Sequence, residues 1–273
     1  MELGPRTNTR FIQEHGQGPP VKRMVKKGAG KARKAGSGGR RLDDLIGGGF
    51  PFRSISLVQG PAFIGKDSLL TQFIAEGIKH GIPSLIVLTH YTTSKFRKKI
   101  VEMDHKLEER ERSGLVSYID CHAKTVGLMG KNPFAIYLNG VNDLDALSSS
   151  MERFESGYKN NYFYHRIIFD SLSSILRTHG INRTIDFVNS LSAKIKAFNG
   201  IALLDLAGGI HKPEDMSALE HSVDGSLILK EDNGRHYLMV KGLEDVKSGQ
   251  WVEYGFSDHS FDIKGSFTLS YIK

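Results

Sequence analysis

Between Gly60 and Lys66 the chain reads Gly-Pro-Ala-Phe-Ile-Gly-Lys, a G-x-x-x-x-G-K loop followed by Asp67 where Ser or Thr is usual. Such a loop works in one setting only. A strand must run into it and a helix must leave it, so that consecutive backbone N–H groups and the helix start cradle phosphate oxygens while the lysine offsets their charge. The flanking residues supply that setting. SISLVQ at 54–59 is a short β-branched and aliphatic run ending in Gly60-Pro61, which predicts a strand entering a turn. From Lys66 to about His80 the residues Leu69, Leu70, Phe73, Ile74 and Ile78 recur at helical spacing, and Gly81 follows as a C-terminal stop. Gly60, Phe63, Ile64, Gly65, Lys66 and Asp67 are therefore candidate phosphate-binding residues.

The rest of the chain alternates strands with helices. SLIVLT (84–89) is an uninterrupted apolar run of the kind buried on both faces of a parallel sheet. VSYID (116–120), HRIIFD (165–170) and IALLDLA (201–207) predict further strands. Helices are expected at 93–112, where Phe96, Ile100, Met103 and Leu107 share a face, and at about 143–158 and 182–198. The last third changes character: SLILKE, RHYLMVK, QWVEYGF and SFDIK are short runs separated by turn residues, an antiparallel extension. The expected fold is α/β, one domain over 42–273 with a mainly parallel central sheet and a β-rich C-terminal extension.

Charge separates this domain from what precedes it. Residues 1–41 hold eleven Lys/Arg and two acids, whereas the remainder holds 26 Lys/Arg and 28 acids. The first segment, with little apolar periodicity, cannot bury enough surface to offset its ordering entropy and is expected to be a disordered basic tail. A flexible polycation attracts nucleic acid through counterion release, so nucleic acid is a candidate partner of 1–41; a merely solubilising extension is the alternative. No apolar run approaches the roughly 18 residues of a membrane span. The lone Cys121 excludes an internal disulfide and, with 11 scattered histidines and no C-x-x-C pair, argues against structural zinc. A cytoplasmic protein without membrane contact is expected.

LDDLIGGGFPFRSISLVQGPAFIGKDSLLTQFIAEGIKHG (42–81) resembles the opening of KaiC-like and other RecA-superfamily ATPases. Those begin with Leu-Asp-x-Leu-Leu-Gly-Gly-Gly-hydrophobic-Pro, a strand, and Gly-Pro-x-Gly-x-Gly-Lys-Thr. RIIFDSLSSIL (166–176) is similar to the family's second phosphate-site strand, and LEHSVDGSLILK (219–230) to the segment before its late strands. The resemblance runs from about residue 42 to at least 241. It implies a RecA-like P-loop domain that takes ATP or ADP with Mg2+, with Ser68 near the α-phosphate and Asp170 holding the metal through water. It also implies Lys241 as a trans-acting residue that reaches a neighbouring subunit's site. Self-association, or a hetero-oligomer with other RecA-like subunits, follows from the same resemblance.

Three departures from the family pattern shape the functional expectation. Asp67 replaces the hydroxyl residue that ligates Mg2+; a carboxylate can also ligate metal, but it sets a negative charge beside the phosphates. One such like-charge pair at about 4 Å costs roughly 4 kcal/mol at an effective dielectric near 20. Phe63 and Ile64 stand where the family has Gly and a small residue, and a positive φ at Phe63 would be strained. LTHYTTS (88–94) carries Thr89, His90 and Tyr91 where the family carries a Glu-Glu pair to orient water, leaving His90 as a substitute base or a strand-end residue without catalytic duty. The expectation is a degenerate ATPase homologue with weak or absent nucleotide binding and little hydrolysis, acting in regulation or signalling through assembly. The alternatives are an active ATPase in which Asp67 and Asp170 both hold Mg2+, and a nucleic-acid-binding, recombinase-like accessory protein.

Overall fold

The computed structural model describes residues 34–128 and 130–265. Most of the expected basic tail, residues 1–33, lies outside the described residues. The structure corrects the expected boundary at 42, because Lys34 to Arg41 belong to the fold. β1 (Lys34–Ala35) pairs antiparallel with β2 (Phe50–Pro51), and α1 (Arg40–Leu45) lies between them. The reason is tertiary. The Gly36 carbonyl accepts from the Arg166 guanidinium at 2.9 Å, the Ser37 N–H donates to Asp43 Oδ1 at 2.6 Å, and the Leu42 N–H donates to Asp262 Oδ1 at 2.9 Å.

β3 (Ser54–Gly60) leads through the loop to α2 (Lys66–Lys79) and then β4 (Ser84–Leu88). The single helix expected over 93–112 is two, α3 (Thr93–Met103) and α4 (Leu107–Arg112). Asp104 breaks them with an extended backbone, and its carboxylate accepts from the Lys106 N–H at 2.9 Å. β5 (Val116–Asp120), β6 (Ala135–Tyr137), α5 (Leu144–Asn161) and β7 (His165–Asp170) follow. α6 (Leu172–Ala197) starts ten residues before the expected helix and is interrupted at Gly180, where φ is 74°. β8 (Gly200–Ala207), α7 (Pro213–Glu220), β9 (Gly225–Asp232), β10 (Arg235–Lys241), β11 (Val252–Ser257) and β12 (Ser260–Ile263) complete the described chain.

Ten strands form one sheet in the order β12-β11-β10-β9-β3-β8-β7-β4-β5-β6. The run from β9 to β6 is parallel, and β10 to β12 are antiparallel. The β-rich extension is thus continuous with the central sheet, as expected. Alternate residues of the parallel strands feed two apolar layers, one on each face. On one side Leu42, Leu69, Phe73, Ile86 and Phe96 pack together; on the other, Leu85, Val87, Leu147, Phe169 and Val188 do so. Because β3 is flanked by β8 and β9 while β4 lies beyond β7, the chain crosses two strands after the loop. The carboxyl ends of β3, β8, β7 and β4 then face one opening, the crevice where open α/β sheets receive ligands.

Candidate functional site

The loop after β3 forms the floor of a cleft of about 890 Å³. Gly65 precedes α2 in a left-handed conformation, φ 85°, and gives the helix no side-chain cap. No acceptor among the described residues takes the N–H groups of residues 65–68, so these donors and the helix dipole face the cleft. β11 braces the loop from outside: Tyr254 donates to the Ile64 carbonyl at 2.6 Å, and the Phe256 ring lies where a Cβ on Gly65 would fall, 2.4 Å away. Phe63 does take a positive φ, 62°, and its side chain is 98% exposed. The strained backbone expected there is present, with no packing to compensate it.

Lys66 and Ser68 are buried at the start of α2. Lys66 Nζ lies 2.9 Å from Asp205 Oδ1, both side chains 9% exposed, and donates to the Leu206 carbonyl at 3.2 Å. Asp67 points into the same cleft but is not free. Its Oδ2 accepts from Lys99 Nζ at 2.5 Å and from the Tyr91 hydroxyl at 3.2 Å. Burial, then the Asp67 carboxylate, hold the Tyr91 phenol well above its ordinary pKa, so it remains a donor.

Asp170 ends β7 and is 3% exposed. Burial first, then the carboxylates of Asp205 and Asp67, raise its pKa well above the usual carboxylate range, with Lys99 and Lys66 opposing. It does not cap the following helix; the Ser171 hydroxyl does, accepting from the Ser173 N–H at 3.2 Å. Thr89 ties the end of β4 to that turn, since its hydroxyl donates to the Ser171 carbonyl and accepts from the Ser171 N–H, each at 2.7 Å. His90 lines the cleft, and burial lowers its pKa, which keeps the ring neutral near pH 7.

The structure therefore brings Phe63, Ile64, Gly65, Lys66, Asp67, Ser68 and Asp170 around one cleft, with Gly60 at the end of β3 below it. Lys241 is not among them. It is exposed at the C-terminal end of β10, opposite Ser226 and level with Leu57, three residues before Gly60. Asp205, Lys99 and Phe256 were missed in the sequence. An acid inside the apolar run IALLDLA was a signal for Asp205; Lys99 and Phe256 carried none.

A hard divalent cation needs oxygen donors free to point at it in near-octahedral geometry. At the position where a hydroxyl would serve, Asp67 is instead engaged by an ammonium and a phenol. As arranged, Asp67 Oδ2 is not free to take the place of that hydroxyl on Mg2+.

A phosphate loop at the carboxyl end of a central parallel strand, with acids closing the ends of the two next strands, defines a RecA-type P-loop domain. The KaiC ATPase family model matches residues 36–264, and the chain belongs to that family. A UPF0273 protein of Pyrobaculum aerophilum is 25% identical over 228 residues, 76% of this chain and 73% of the relative. The circadian clock oscillator protein KaiC of Rippkaea orientalis is 26% identical over 160 residues, which cover 59% of this chain but only 27% of that protein. Among solved structures, a KaiC-like protein from Pyrococcus horikoshii has a TM-score of 0.66, covering 86% of this chain and all of that one at 19% identity, a likeness of fold. No helix among the described residues is long and apolar enough to cross a membrane.

Proposed function

We propose that this protein is a KaiC-family member that holds nucleotide weakly, hydrolyses it little, and acts in regulation or signalling through assembly with further copies or with other RecA-like subunits. One observation carries the reading: the charges that a Mg2+–nucleotide would use are already paired inside the protein, Lys66 with Asp205 and Asp67 with Lys99. An entering phosphate must compete with both Asp205 and the Leu206 carbonyl for the Lys66 ammonium. A nearly buried pair opposes that exchange more than a surface pair, because water screens it little. The unpaired N–H groups of the loop still favour phosphate, so binding is weakened rather than lost.

Hydrolysis asks for more. A water must be oriented for in-line attack, and where the family has its acid pair this chain has Thr89, His90 and Tyr91. Thr89 is engaged by the Ser171 backbone. The neutral His90 can accept a proton, but no acid among the described residues hydrogen-bonds its ring to hold it in place.

The test is titration of a fluorescent ATP analogue into the wild type and Lys66→Ala, together with phosphate release. Saturable, low-affinity binding that needs Lys66, with release near background, is expected. Turnover on the order of 1 per second, abolished in Lys66→Ala, would overturn this reading in favour of an active ATPase.

A further inference from the structure

We propose that Lys99 stands in for the divalent cation beside Asp67, so that the cleft receives nucleoside di- and triphosphates as metal-free anions. The inference rests on the nucleotide-binding reading above and specifies the ligand of that site.

The arrangement is built from two elements. α2 presents Asp67 in its first turn, and α3, beginning after Thr92, presents Lys95 and Lys99 one turn apart on one face. Tyr91 lies beneath both lysines, with Lys95 Nζ 4.1 Å and Lys99 Nζ 4.9 Å from its ring centroid. The Tyr91 hydroxyl and Lys99 Nζ converge on the same oxygen, Asp67 Oδ2. The aromatic ring thus aims one ammonium at the acid and holds a second beside it.

Charge and valence then decide what fits. Asp67 adds a negative charge that a hydroxyl would not, and Lys99 supplies the single positive charge that offsets it. A divalent cation at Asp67 would lie against that ammonium and would have to displace it. Lys99 can also address phosphate, since an ammonium has three donors and its bond to Asp67 uses one. Its side chain is 30% exposed, so the remaining donors face the open cleft that Lys66 and Lys95 also line.

The experiment measures affinity for a fluorescent ATP analogue in Mg2+ and in EDTA, for the wild type, Lys66→Ala, Lys99→Ala and Asp67→Thr. Wild-type affinities within about twofold of each other in the two buffers are expected. In Lys99→Ala, which removes the ammonium from Asp67, and in Asp67→Thr, which restores a hydroxyl, affinity in EDTA should fall at least tenfold below that in Mg2+. Lys66-dependent wild-type binding that drops tenfold in EDTA would overturn the inference and leave the nucleotide reading standing. So would Lys99→Ala and Asp67→Thr proteins that remain indifferent to Mg2+. Absence of any Lys66-dependent binding would overturn the nucleotide reading itself, and this inference with it. Circular dichroism of each variant separates misfolding from lost binding, and Asp67→Thr keeps the question answerable if Lys99→Ala does not fold.

Discussion

At Phe63 and Gly65 the phosphate loop takes the same left-handed backbone, with φ of 62° and 85°, yet the two positions differ in what surrounds them. Phe63 extends into solvent, so its side chain neither packs nor collides. Over Gly65 lies the Phe256 ring, which a Cβ would meet at 2.4 Å. Gly65→Ala therefore combines left-handed strain of about 1–2 kcal/mol with an aromatic clash that must push the loop or β11 aside. Phe63→Gly relieves similar strain but gives the unfolded chain more freedom, which opposes the gain by roughly 0.4–1 kcal/mol. Urea denaturation should show Gly65→Ala destabilised by about 2 kcal/mol or more and Phe63→Gly unchanged or stabilised by up to about 1.6 kcal/mol. Equal effects at the two positions would mean that Phe256 does not brace the loop. The identity of the loop was legible in seven residues because its chemistry is local. The partners of Lys66 and Asp67 were not, because they arrive from distant strands and helices through the crossover.

α1 shows the same contrast for a whole element. Its N-cap is Gly39, which has no side chain to accept the first N–H groups, and Gly-Ser-Gly-Gly ahead of it reads as linker. The missing cap comes from β12: Asp262 Oδ1 accepts from the Leu42 N–H at 2.9 Å, and Oδ2 lies 3.4 Å from the Arg41 nitrogen. Gln72 secures the same strand, donating to the Phe261 carbonyl at 2.9 Å and accepting from the Phe261 N–H at 2.8 Å. A cap supplied from 220 residues away leaves no trace at sequence level, so this helix was absent from the expected elements. Asp262→Ala should lower stability by about 1 kcal/mol, the usual worth of a cap. Amide exchange should locate the loss in α1, with Leu42 exchanging faster while β3 and β8 keep their protection. Uniform acceleration would instead make Asp262 a general contributor to the sheet. The helix at 66–79 and the strands flanking it were legible because apolar spacing alone specifies them; the split at Asp104 was not, because the apolar face continues across it.

At the scale of the molecule, the parallel sheet and its antiparallel extension followed from alternation and turn residues, whereas the place where the fold begins did not. Gly, Ala, Lys and Arg run without periodicity from 28 to 41, so composition set the boundary at 42. Long-range bonds set it earlier. Lys34 Nζ donates to the Ile46 and Glu244 carbonyls at 2.9 and 3.0 Å, and Arg166, fully buried, bonds the Gly36 and Phe73 carbonyls at 2.9 and 2.7 Å. Deleting residues 1–41 removes β1 and leaves the Arg166 guanidinium without one of its acceptors, a loss of roughly 2–3 kcal/mol for a buried charged group. For a domain of this size that lowers the melting temperature by on the order of 5–10 °C. Deleting residues 1–33 removes none of these bonds and should leave it within about 2 °C of the full chain. If both truncations melt with the full chain, residues 34–41 contribute nothing to the fold. The shorter deletion is also the one with which to examine nucleic-acid binding. It takes away eight of the eleven basic residues of 1–41 while keeping the domain intact, so a lost, salt-sensitive affinity for DNA or RNA would reflect charge alone. Unchanged affinity would remove that segment from any nucleic-acid role.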